Sequence, residues 1–205
     1  MRLNVLAMSE TRTRIIDAAA GLMAEQGFNR TSIDDVIAHA ALSGKSHFYH
    51  YFKSKEQLGL AVLDRQFGRF EEQGLSILRD ASIDPLERIH RLVDAVCLLQ
   101  GEFGIRSGPP FGDLALEMAE EHSGARAHLA LAFERWASQI QTLLFEAGPS
   151  LQEGVDAAHL SRFIIATLEG ALMLSKVTGD AEMVREVATD LKRFVSTRVR
   201  AGASA

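Results

Sequence analysis

One cysteine, Cys97, stands in 205 residues, so no internal disulfide framework can brace the chain. Alternating polar and apolar strand patterns are nearly absent. No apolar run approaches the ~20 residues that a membrane span needs. The N-terminal MRLNVLAMSETRTR is too short and too weakly apolar for a secretory leader, and a cytoplasmic protein is the resulting expectation. Internal repeats and low-complexity segments are missing too. So are the signatures of catalysis. There is no HExxH pattern and no second cysteine for a metal, and the glycine-rich GIRSGPPFG at 104–112 lacks the lysine–serine/threonine pair of a phosphate loop. Glu117, Glu120, Glu121 and His122 read as a solvated helical face rather than paired acids. Neither an enzyme nor a cofactor or metal is expected, and Cys97 reads as a buried, inert thiol rather than a redox sensor.

What is present is apolar and helical. Hydrophobic residues make up 47% of the chain, enough for a packed globule rather than a disordered one, and they recur at helical spacing throughout. A first helix is expected over 11–25, ended by Gly27. A second is capped at Thr31 or Ser32, with Asp34 and Asp35 at its positive end. A short third helix runs through His50, and a long fourth one from Lys55 to about Arg79. Asp84-Pro85 is a cap followed by proline and starts a helix to about Phe103. A shorter helix over 113–121 follows, then a long one to Ala147, and two more over 156–178 and 180–200, separated by Gly179. The count is about nine helices, an all-α fold.

Charge is divided along the chain. Net charge is −5, yet residues 1–58 carry seven basic against six acidic side chains, and the remainder 15 against 21. A slightly basic head on an acidic body fits a local, not a general, affinity for nucleic acid.

Residues 31–56, TSIDDVIAHAALSGKSHFYHYFKSKE, carry the function. Two short helices meet at the turn Ala41-Leu42-Ser43-Gly44. The second presents Lys45, Ser46, His47, Tyr49 and His50, with Lys53 and Lys55 following. Lysine bonds phosphate or guanine, the hydroxyls suit phosphate oxygens, and His47 can donate to a base edge. Lys53 and Lys55 flank the helix start at Ser54, where free N–H groups favour a phosphate. Thr31 and Ser32 complete the set expected at DNA. Phe48 and Phe52 point back into the core. The bland alternative is a helical hairpin with a solvated polar face, which has no need of Tyr49, His50, Tyr51 and Phe52 in one turn. His47 and His50, three residues apart, are read as solvated or DNA-facing rather than as metal ligands.

The segment 9–69 resembles the DNA-binding domain of the TetR/AcrR family of bacterial transcriptional regulators. The resemblance rests on Ile15-Ile16-Asp17-Ala18-Ala19, Gly27-Phe28, Thr31-Ser32-Ile33, Val36-Ile37, Phe48 through Phe52, and Lys53 through Leu58. It places the motif proper at 32–51. The family usually has alanine-glycine-valine-serine at the turn; here glycine stands two positions later, at Gly44. His47 occupies a position where a small residue is common.

The resemblance implies an N-terminal three-helix helix-turn-helix domain over 9–69. It implies a C-terminal helical ligand-binding and dimerisation bundle over 70–205. The function implied is a sequence-specific transcriptional regulator, a homodimeric repressor on double-stranded palindromic operator DNA, released by an apolar or aromatic small molecule. The rival reading is a helical small-molecule-binding protein of the same fold with altered or lost DNA binding, which would have no use for Lys45, Tyr49 and Lys53.

In the body, Leu160, Phe163, Ile164, Leu168, Ala171 and Leu172 form one apolar stripe. Val184, Val187, Leu191, Phe194 and Val195 form another; both are candidates for pairing, the alternative being the monomer's own core. The segment 108–117 resembles an element of one branch of these regulators, with Pro109 where that branch has cysteine, so thiol sensing there does not carry over. A pocket is expected to draw on Val96, Leu99, Phe103 and Phe111, together with Met118, Phe133, Trp136 and Met173; residues of these types at helical spacing also suit plain core.

Overall fold

The structure is a computed structural model that describes residues 2–72, 76–103, 112–148 and 151–198. Among these residues there are ten helices and no strand ladder. The chain separates into two compact units, one built from residues 1–67 and 110–129, the other from 68–109 and 130–205. A cut in sequence at 69/70 follows the chain; this division follows contacts, and it places 110–129 with the N-terminal helices.

In the first unit, α1 (Arg2–Gln26) runs nine residues earlier than the periodicity from Thr11 suggests, because nothing in 2–10 is a glycine or proline that would stop it. Ile15, Ile16, Ala19, Leu22 and Met23 are buried as expected. Gly27 ends the helix at φ +86°. Ser32 caps α2 (Ile33–His39) in a reciprocal capping box: its Oγ accepts the Asp35 N–H, and its own N–H donates to Asp35 Oδ2 at 3.0 Å. The turn to α3 (Lys45–Tyr51) puts Ala41, at φ +49°, in the left-handed region. Gly44 instead stands at the N-cap with φ +146°. Both are positive-φ positions: Gly44 takes a conformation that glycine alone adopts freely, and Ala41 takes the left-handed one at some strain. α4 (Lys55–Phe70) buries Leu58, Ala61, Val62, Leu63 and Phe67. α7 (Gly112–Glu121) and the first turns of α8 (Ser123–Glu146) bury Leu114, Met118, Ala125 and Leu129 in the same unit. Gly59 on α4 lets this happen: a Cβ there would lie 2.7 Å from Met118 Sδ and 2.8 Å from Phe28 Cε2.

Of the fourth helix expected to run to about Arg79, α4 is regular to Phe70 and continues as a π turn over 71–72, residues 73–75 lie outside the described residues, and α5 (Ser76–Leu78) is helical again in the second unit. α6 (Pro85–Phe103) has the expected bounds, and the Asp84 carboxylate accepts the N–H of Leu86 at 2.9 Å. The buried Arg88 gathers the connection, donating to the Ile83 and Leu78 carbonyls and to Glu146 Oε2. α9 (Ala157–Thr178) is capped by Asp156 and ended by Gly179 at φ +72°, and α10 (Glu182–Ser196) packs along it.

The two stripes of the last helices mostly meet each other. Leu160, Ile164, Leu168, Ala171 and Leu172 are buried, as are Val184, Leu191 and Val195, so they form the unit's own core rather than a free face. The apolar residues that α9 leaves to solvent are Phe163, Met173, Leu174 and Val177. Against the sequence expectation, α9 is long and apolar enough for a membrane span, with a mean hydropathy of 1.3 over its best window. The burial of those five residues fits a core helix.

Candidate nucleic-acid interface

The reading head is built on aromatic anchors. Phe48 is 0% and Phe52 1% exposed; their rings lie 6.0 Å apart, and the Arg12 guanidinium sits 5.1 Å over Phe52. Burying two phenylalanines stabilises the head by roughly 1.5–3 kcal/mol each. It also fixes the rotation of a seven-residue helix too short to hold itself. With Phe48 turned inward, Lys45, Ser46, Tyr49 and His50 are exposed and His47 half-exposed.

The polar side chains are lightly held. Lys45 Nζ lies 3.1 Å from Asp34 Oδ2, with both groups more than 60% exposed; such a pair is worth about 0–1 kcal/mol and yields readily to a phosphate. His47 Nδ1 lies 3.2 Å from Ser43 Oγ, and its ring stands 5.7 Å from that of Tyr51. The His50 ring packs edge-on to Tyr51 at 5.1 Å. Lys53 Nζ donates to the Tyr49 carbonyl at 3.3 Å. Its N–H donates to Gln57 Oε1, while Ser54 Oγ accepts the Gln57 N–H, so α4 supplies its own cap.

Two residues expected at DNA face elsewhere. Thr31 is fully buried and its hydroxyl donates to the Gly27 carbonyl at 2.8 Å, which leaves no side-chain surface for a phosphate. Lys55 donates to the carbonyls of Phe28 and Asn29, and its ammonium lies 4.4 Å over the Phe28 ring. Ser32 remains exposed but is engaged in the capping box, whose hydrogen bonds hold the Asp35 carboxyl below its ordinary range.

Glu117 is the residue sequence reasoning misplaced. It is not on a purely solvated face: its Oε2 accepts the Asn29 N–H at 2.8 Å. Next to it, the His122 ring meets Phe28 edge-on at 6.0 Å and its Nδ1 lies 3.7 Å from Glu56. His128 Nε2 lies 2.6 Å from Asp64 Oδ1. Among the described residues no group of three metal-ligating side chains occurs.

The residues expected to line a pocket are dispersed. Val96 and Trp136 are buried in the second unit, and Phe133 packs edge-on to Trp136 at 5.8 Å. Leu99 and Phe103 lie on α6. Met173 is 48% exposed. Met118 is fully buried in the first unit, against Phe28 and Gly59. Phe111 lies outside the described residues, as does Pro109. A separate open cleft of about 350 Å³ lies among Gln152, Glu153, Asp156, His159, Phe163 and Arg198, and none of the eight expected residues lines it. In the same unit, burial raises the Cys97 thiol above its ordinary range, with Asp94 adding to the effect. Burial alone pushes the Glu169 carboxyl up to about 7.

An outward polar helix on a buried aromatic floor, two helices after an N-terminal one, defines a helix-turn-helix DNA-binding protein. Residues 15–62 match the model of the bacterial regulatory proteins of the tetR family. Residues 85–190 match that of the LmrA/YxaF-like transcriptional regulator C-terminal domain. The chain belongs to the TetR family of transcriptional regulators, a family that binds operator DNA and dimerises.

Among its relatives, an uncharacterised HTH-type regulator of Lactococcus lactis, from the lacX 3′ region, is 28% identical over 183 residues, covering 89% of this chain and 91% of that one. The transcriptional repressor DhaR of Mycobacterium sp. strain GP1 is 26% identical over 187 residues, with coverage of 90% and 91%. A TetR regulator from Chloroflexus aurantiacus superposes with a TM-score of 0.84 at 28% identity, over 98% of this chain and 99% of that one. Reduced E. coli NemR has the same fold, with a TM-score of 0.81 at 19% identity over 95% and 99%.

Proposed function

We propose that the protein is a cytoplasmic, ligand-released repressor whose dimer reads a palindromic operator through Lys45, Ser46, His47, Tyr49, His50 and Lys53. The observation that carries this reading is the buried Phe48–Phe52 floor, which turns those side chains outward together. Residues 9–69 then form the DNA-binding domain and 70–205 the effector-binding and dimerisation domain. Pairing would use the α9 face of Phe163, Met173, Leu174 and Val177. Two heads about one helical turn of DNA apart sum their contacts on a palindrome, where one head binds weakly. A small apolar or aromatic molecule in the second unit, near Val96, Leu99, Phe103, Phe133 and Trp136, would favour a dimer with the wrong head spacing, and its effect is bounded by its differential affinity for the two states. DhaR and NemR are both transcriptional repressors, and repression comes to this chain by that likeness.

The test is a duplex selection with the parent protein, followed by titration of the selected operator with the Tyr49→Ala/Lys53→Ala variant. Affinity should fall, and the slope of log K against log salt should flatten by about 0.9 for each phosphate that is no longer neutralised. Unchanged affinity and slope would refute the assignment.

A further inference from the structure

We infer that Glu117 is a positioning residue for DNA binding: from α7 it holds the α1–α2 turn that aims the helix-turn-helix. The turn over 27–29 has polar groups pointing two ways, and each is taken by a charged side chain from a different helix. The Asn29 N–H donates to Glu117 Oε2 of α7 at 2.8 Å. The carbonyls of Phe28 and Asn29 accept from Lys55 Nζ of α4 at 3.1 and 3.3 Å. Hydrogen bonds to ionised groups are among the stronger ones in proteins.

The turn is shaped to receive the carboxylate. A Cβ at Gly27 would stand 2.5 Å from Glu117 Oε1, so a side chain there would push the carboxylate aside, while φ +86° by itself favours glycine. Beneath it, Phe28 is 1% exposed, lies under Lys55, meets His122 edge-on and rests with Met118 against Gly59. α7 thus delivers both an apolar anchor and a charged one, one residue apart. Immediately after the turn come Thr31, bonded back to Gly27, and Ser32, the cap of α2. A rotation of the turn is therefore carried into α2, and α2 packs on α3. Among the described residues the Glu117 carboxylate bonds to the turn and not to the DNA-facing set; it acts by fixing their direction.

The experiment uses the full-length protein and the duplex selected by the parent. At a temperature where parent and variants are all folded by circular dichroism, Glu117→Ala should bind that duplex about tenfold more weakly. Its salt slope should be unchanged, because every group that neutralises a phosphate is still present. The Asn29 amide should exchange faster with solvent. Glu117→Gln, which keeps an oxygen for the Asn29 N–H, should recover most of the affinity. Gly27→Ala should weaken binding as well, and its combination with Glu117→Ala should lose less than the two separate effects together. Equal operator affinity of Glu117→Ala and parent, with or without a lower melting temperature, would overturn the inference while leaving DNA binding intact. A parent that selects no duplex would overturn both.

Discussion

Glu169 on α9 gives the sharpest test of the second unit. It is half-buried, and burial alone raises its carboxyl from 4.5 to about 7. The folded state therefore holds a proton that the unfolded chain has released between those two values. Stability contributed by the neutral acid is present below about pH 4.5 and is lost as pH rises through 7. The difference of 2.5 pH units, at 1.36 kcal/mol per unit, makes the cost of the ionised carboxylate roughly 3 kcal/mol above pH 7. Glu169→Gln keeps the shape and removes the titration. The variant should match the parent near pH 4.5 and exceed it by about 3 kcal/mol at pH 8, a rise of roughly 6–12 °C in melting temperature for a chain of this size. Thermal unfolding followed by circular dichroism from pH 4.5 to 8, at one fixed protein concentration because a dimer's stability depends on it, reads the difference directly. A gap between the two proteins that stays constant across this range would refute the reasoning, because only a titrating burial cost changes with pH.

The remaining predictions concern single sites. Ala41→Gly should stabilise the protein by about 0.5–1 kcal/mol in urea unfolding, because the left-handed φ of +49° strains alanine by more than glycine's extra chain entropy costs; a drop in stability would contradict that balance. Cys97, its thiol raised by burial and by Asp94, should react with iodoacetamide at pH 7.5 on the order of tenfold more slowly than the same thiol in urea-unfolded protein, as mass spectrometry would record. A native rate equal to the unfolded one would show an accessible thiol.

Local features of this fold were legible in the sequence because they are decided locally. Asp84-Pro85, Asp156 and Gly179 stop and start helices through bonds to residues two to four positions away. The dense run from Lys45 to Phe52 separates its anchors from its polar face by helical phase alone. Distant pairings were not legible. Periodicity identifies the apolar side of α9 but not the helix that covers it, and so a stripe that α10 buries could equally read as a dimer face. The turn between α2 and α3 defeated composition for another reason: glycine marks where a left-handed residue is cheap, whereas the surrounding helices impose it at Ala41.

Glu117 presents the same limit in its most consequential form. Its partner is a backbone N–H 88 positions away, and a backbone amide has no residue-type signature. Among Glu120, Glu121 and His122 a carboxylate reads as solvated charge. The only trace in sequence is on the other side of the contact, at Gly27 and Gly59, two glycines that a helical pattern alone does not require in both places. One ends α1 and admits the carboxylate; the other, in the middle of α4, admits Met118 and Phe28. Glycine within a helix costs roughly 0.5–1 kcal/mol relative to alanine, and here the close packing it allows offsets that cost. The head's aim is therefore set by contacts from α7 as well as by the reading helix itself. A change in α7 has a direct mechanical route to DNA binding that bypasses every residue in the groove.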